Sequence, residues 1–103
     1  MDIWTKDQFL QRFEAGKQGI LFLYTPFCGT CQLAERMLGI IEKMMPELDI
    51  GKADINYLPD LAEQFKIESV PCLLLFNDED IQEKIYAFRS VPYLFEKIKN
   101  WKA

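Results

Sequence analysis

The residues of this 103-residue chain best suited to chemistry are Cys28 and Cys31, separated by Gly29 and Thr30. A thiol is nucleophilic as its thiolate, and two thiols at this spacing can reduce a partner's disulfide and then close on each other. The segment ahead of them, Gly19 to Tyr24, is apolar throughout and stops at Thr25 and Pro26, which reads as a strand covered on both faces. The segment that follows Cys31 carries Leu33, Met37, Leu38, Ile41, Met44 and Met45 at helical spacing until Pro46, which a helix interior does not admit. Cys28 therefore stands where a strand hands over to a helix. Residues three apart in a first helical turn are neighbours, roughly 5 to 6 Å between Cβ atoms, so a disulfide needs little backbone movement. Unpaired N–H groups and the positive end of the helix dipole favour a thiolate at Cys28, the expected nucleophile, and leave Cys31 as the expected resolving thiol.

A structural staple and half of a zinc site are the other uses of such a pair. The loop-entropy model gives a four-residue loop roughly 2 kcal/mol, against about 4.7 for a 100-residue loop, so the pair is a poor staple. A zinc site lacks a second cysteine pair, and the chain has no histidine. The absence of histidine also excludes Ser-His and Cys-His nucleophile pairs. Three cysteines are too few for the disulfide framework of a secreted protein.

The elements that position the pair are legible in the patterning. Thr5 and Gln8 form a capping box ahead of a helix over Lys6 to Ala15, with Phe9, Leu10 and Phe13 on one stripe and Gly16 at its end. Leu48 to Asp54 alternates as a strand, and Leu58, Leu61, Ala62 and Phe65 recur as a short helix opened near Pro59. Cys72 to Phe76 is a second buried strand, Asn77 to Asp80 a four-residue turn, and Ile81 to Phe88 its hairpin partner. Ser90 and Pro92 open a last helix with Val91, Leu94, Phe95, Ile98 and Trp101 on one face, and Ile3 and Trp4 suit a short edge strand. Strands alternating with helices predict a parallel sheet core, to which the hairpin adds antiparallel strands at one edge. The expected class is α/β, a central mixed β-sheet with helices on both faces, forming one domain over residues 1–103.

Half the residues are hydrophobic and about a quarter are charged, the balance of a folded globular protein. The net charge of -4 is spread along the chain without a basic stripe, so nucleic acid is not an expected partner. The longest apolar run, Gly19 to Phe27, falls far short of the ~20 residues that span a bilayer, and the N-terminus carries charge where a signal peptide needs an apolar core. A cytoplasmic monomer without membrane contact, metal or cofactor is expected.

Phe27-Cys28-Gly29-Thr30-Cys31, Lys52, and Val70-Pro71 followed by Cys72-Leu-Leu-Leu-Phe76 together resemble the thioredoxin family, and the resemblance runs from the first helix to the last. It implies the thioredoxin fold and a thiol-disulfide oxidoreductase that acts on protein disulfides, with thioredoxin reductase as the electron donor. It further implies a cis proline at Pro71 that faces the redox pair and, with Val70, holds substrate backbone, while Phe27, Gly29 and Thr30 complete the substrate contact. The alternative implied by the same resemblance is a binding module, for partners or for a metal or cluster, with little redox turnover.

Several positions depart from the family pattern. Phe27 and Thr30 replace the tryptophan and proline of the usual Trp-Cys-Gly-Pro-Cys. The buried carboxylate that the family places six residues before the nucleophile, to take a proton from the resolving thiol, is here Phe22. Acid-base help for Cys31 then falls to Lys52, at the position of the family's buried lysine, or to water; a partly snorkelling surface lysine is the other reading of Lys52. Ala87 stands approximately where the family keeps a glycine beside the substrate groove. Cys72, directly after Pro71, would lie within reach of the pair in this fold, either as a buried small hydrophobe or as a third sulfur with a redox or soft-metal role.

Overall fold

In the computed structural model, which describes all 103 residues, the apolar run Gly19–Tyr24 is the middle strand of a five-stranded sheet. The elements in chain order are β1 (Asp2–Ile3), α1 (Lys6–Glu14), β2 (Gly19–Tyr24), α2 (Gly29–Met44), β3 (Ile50–Asp54), α3 (Pro59–Gln64), β4 (Cys72–Asn77), β5 (Asp80–Ile85) and α4 (Val91–Lys102), with a 3₁₀ turn over Ile55–Tyr57. The strand order is β1-β3-β2-β4-β5. β1 and β2 both run parallel to β3, whereas β4 runs antiparallel to β2 and to β5. The mixed α/β sheet expected from the sequence is thus the observed one.

Two apolar layers sandwich the sheet. On one face Phe22 and Leu73 pack with Ala34, Leu38 and Ile41 of α2 and Leu94 and Ile98 of α4. On the other, Leu21, Leu23, Leu74 and Phe76 pack with Phe9 of α1 and Leu61 of α3. Successive strand residues point to opposite faces, so a strand covered on both sides must be apolar at every position, as β2 and β4 nearly are. The helices start where caps instruct them. Thr5 Oγ1 accepts the Gln8 N–H while Gln8 Oε1 accepts the Thr5 N–H, and Ser90 Oγ accepts the Tyr93 N–H. Gly51 of β3 lies directly beneath the Trp4 indole, where any Cβ would overlap the ring.

Several boundaries differ from the sequence reading: β3 starts at Ile50 instead of Leu48, α1 ends at Glu14 instead of Ala15, and three others bear on the packing around the site. The hairpin turn is shorter: Asn77 pairs with Asp80, and Asp78 and Glu79 alone make the turn, both with left-handed φ of 53° and 62°. That is the backbone of a tight two-residue hairpin, which usually advertises itself through Asn or Gly. β5 ends at Ile85, so Tyr86 to Arg89 leave the ladder and run past the redox pair. β1 is Asp2–Ile3, and Trp4 turns into the core while its N–H donates to the Lys52 carbonyl at 2.9 Å.

Candidate active site

β2 delivers the chain through Thr25 and Pro26 to Phe27, whose φ of 63° turns its ring fully into solvent. Cys28 follows in extended conformation as the N-cap of α2. Its Sγ accepts the Cys31 N–H at 3.1 Å, the bond that a Ser or Asp oxygen makes at an ordinary N-cap. The Thr30 hydroxyl lies 3.3 Å from the same sulfur. Cys28 and Cys31 have Cα atoms 5.2 Å apart, within the range that a disulfide bridges, and their sulfurs are joined. The two sulfurs differ in surroundings. Cys28 is half-buried at the periphery of the α2 and α4 layer, whereas Cys31 is buried inside it.

The Val70-Pro71 peptide is cis, and Pro71 lines a shallow groove beside the pair with Thr30, Leu33, Met37, Phe88 and Arg89. Val70 is half-buried between both layers. Gly29 is exposed with open space around its Cα, and Ala87 is exposed on the segment that follows β5. A second cleft is lined by Tyr24, Phe27, Cys31, Gln32 and Glu35.

Phe22 is fully buried and packs edge-on against Phe88 and beside Tyr24. In the parallel register Phe22 is the partner of Lys52. Lys52 is not a solvated surface lysine: its Nζ donates to Glu35 Oε2 at 3.1 Å and its side chain is 22% exposed. Sequence reasoning passed over Glu35, although its place four residues after Cys31 puts it one helical turn on, on the same face.

Cys72 lies away from the pair. It is fully buried, and its register partner Leu23 belongs to the α1 and α3 layer, as does Cys72 itself, whereas Cys31 belongs to the α2 and α4 layer. Burial pushes the Cys72 thiol up to about 11, although a hydrogen bond from Tyr86 and the charge of Lys84 oppose the shift. Burial also raises the Tyr86 phenol, against the Glu68 N–H that donates to its oxygen at 3.2 Å. These surroundings favour Cys72 as a packing residue over a third redox thiol.

The thioredoxin family model matches residues 1–100 of the chain. The chain belongs to the thioredoxin family. It is 51% identical over 81 residues to the thioredoxin-like protein YusE of Bacillus subtilis, an alignment that covers 79% of this chain and 76% of the relative. It is 32% identical over 100 residues to a thioredoxin of Chlamydia muridarum, covering 97% of each. A mutant thioredoxin of Halobacterium salinarum superposes with a TM-score of 0.84 over all of this chain and 90% of the other, at 18% identity. Family and fold, with a cysteine pair closed at the start of α2, make this protein a thiol-disulfide oxidoreductase. Thioredoxins typically reduce protein disulfides.

Proposed function

We propose that Cys28 is the attacking thiol and Cys31 the resolving thiol of a protein-disulfide reductase. The observation that carries the assignment is the contrast between the two sulfurs: Cys28 caps α2 from a half-exposed position, while Cys31 is 3% exposed. The reduced Cys28 thiolate accepts the Cys31 N–H and the Thr30 O–H, and both bonds stabilise its charge. It attacks one sulfur of a partner disulfide, forming a mixed disulfide and expelling the other sulfur as a thiolate. Cys31 then attacks Cys28 Sγ, the Cys28–partner bond breaks, and the second partner sulfur leaves reduced. Two electrons pass from the dithiol to the partner.

Pro71 and Thr30 line the groove that would hold the substrate backbone, and Val70 and Gly29, next to them in the chain, would extend the contact. Phe27 offers an exposed apolar ring on the loop that leads into α2. We infer that thioredoxin reductase supplies the electrons and that the protein works as a cytoplasmic monomer. No helix is long and apolar enough to cross a membrane.

Insulin reduction driven by NADPH and thioredoxin reductase tests the reading. The native protein turns over, Cys28→Ser abolishes turnover, and Cys31→Ser accumulates mixed disulfides with its partners. Alkylation of the reduced protein at neutral pH labels Cys28 well before Cys31 or Cys72. Activity that survives Cys28→Ser, or equal labelling of the three thiols, overturns the assignment.

A further inference from the structure

Resolution requires Cys31 to lose its proton inside an apolar layer, and the neighbouring strand positions provide no acceptor. Phe22 fills the space opposite Lys52 with a ring that packs on Phe88. The ammonium that would face a carboxylate at residue 22 turns instead to α2, where it donates to Glu35. Glu35 and Cys31 are four residues apart on α2, so their Cβ atoms are neighbours at roughly 5 to 6 Å, and both side chains line the cleft with Tyr24, Phe27 and Gln32.

We infer that Glu35, held in place by Lys52, accepts the Cys31 proton, so that the carboxylate serving the resolving thiol stands on the helix instead of the strand. Glu35 is the only carboxylate that lines this cleft. Lys52 from β3 is its ion-pair partner, and Tyr24 at the end of β2 lies beneath that ammonium, 5.9 Å from ring centre to Nζ. Arg36, next on α2, is exposed, and Glu42 two turns further on pairs with the N-terminal ammonium. Asp54, two residues beyond Lys52, accepts the Asn56 N–H.

Glu35 is partly exposed, so a water molecule in the cleft can relay the proton between Cys31 Sγ and the carboxylate. The step balances. The Cys31 proton passes to Glu35, the thiolate forms the bond to Cys28 Sγ, and the Cys28–partner bond breaks. The partner leaves as a thiolate that takes a proton from water, and Glu35 returns its own proton to solvent.

The inference rests on Cys31 being the resolving thiol, and one experiment separates the two. A mixed disulfide between Cys28 and a chromophoric thiol is prepared, and thiol release is followed by stopped flow from pH 5 to 9. In the native protein the rate reaches a plateau by neutral pH. Glu35→Gln keeps an oxygen for Lys52 but cannot take the proton. Its rate at pH 6 falls about 10²-fold and climbs tenfold per pH unit until the thiol itself ionises. Glu35→Asp restores part of the rate and the plateau, and added imidazole speeds Glu35→Gln at fixed pH. A mixed disulfide that resolves in Glu35→Gln at the native rate, with the native plateau, overturns the inference alone. Failure of Cys28 to form a mixed disulfide overturns the assignment of the pair and the inference with it.

Discussion

At the scale of single residues, Thr30 tunes the pair. The usual proline offers neither a hydroxyl nor an N–H, whereas the Thr30 hydroxyl sits 3.3 Å from Cys28 Sγ and can donate to a thiolate there. A donor that favours the thiolate stabilises the reduced form, so the disulfide is easier to reduce and the potential rises. A hydrogen bond to a charged group contributes about 1.5 to 3 kcal/mol, which for a two-electron couple corresponds to roughly 30 to 60 mV as an upper range. Thr30→Val removes the hydroxyl at constant shape. Equilibration with glutathione buffers gives this variant a lower, more reducing potential, and an unchanged potential would exclude the tuning. Cys28, Cys31 and Thr30 were all legible in the sequence because their chemistry is local, within one helical turn. Glu35 was not, because its meaning depends on Lys52, seventeen residues away, and on α2 crossing the sheet above β3. Cys72 misled for the opposite reason. Adjacency to Pro71 suggested nearness to the pair, but one residue along a strand is enough to move a side chain to the other face.

At the scale of elements, α2 is unusual in being capped by its own reactive sulfur. Serine is among the best N-cap residues and alanine among the poor ones. In the reduced state Cys28→Ser therefore keeps the stability of the native protein, and Cys28→Ala is less stable than Cys28→Ser by about 1 kcal/mol in urea unfolding. Equal midpoints for the two variants would show that the cap does not hold α2. The inactivity expected of Cys28→Ser is thus a loss of chemistry and not of fold. α1 gives a comparison free of the redox site, since Thr5→Ala removes one half of its capping box and costs about 1 kcal/mol by the same measurement. The start of α1, the whole of β2 and the span of α2 could be read directly, because caps and unbroken apolar runs are local signals. The hairpin turn could not, since Asp78 and Glu79 adopt left-handed backbone that their side chains do not advertise. The early end of β5 was hidden for a similar reason: Ile85 and Phe88 are both buried, one in the ladder and one beside the redox pair.

At the scale of the whole molecule, the buried Cys72 thiol makes stability depend on alkaline pH. Its value in the fold, about 11, is above the ~8.5 of an unfolded cysteine. The neutral thiol is favoured by folding, so its contribution is fully present below ~8.5 and is lost as pH rises toward 11. Each unit is worth about 1.4 kcal/mol, and the loss is on the order of 3 to 4 kcal/mol. Other groups titrate in this range, Tyr86 with the same sign, so Cys72→Ala is the reference. The stability advantage of the native protein over this variant narrows between pH 8 and 11, and an advantage that stays constant would contradict the shift.

The placement of the two tryptophans has an optical consequence. Trp4 belongs to the α1 and α3 layer, with the sheet between it and the disulfide. Trp101 sits with Gln18, Gly19 and Ile20 at the start of β2, roughly 20 Å along that strand from the end that leads to Cys28. The aromatic ring that does stand beside the nucleophile is Phe27, which does not absorb in the tryptophan band. Neither indole is near enough to the sulfurs for contact quenching, so tryptophan emission follows unfolding and ignores the redox state. Oxidised and reduced protein can then be titrated with denaturant on one signal of equal amplitude, and the separation between the two curves reports only what closing the Cys28–Cys31 bond does to the fold.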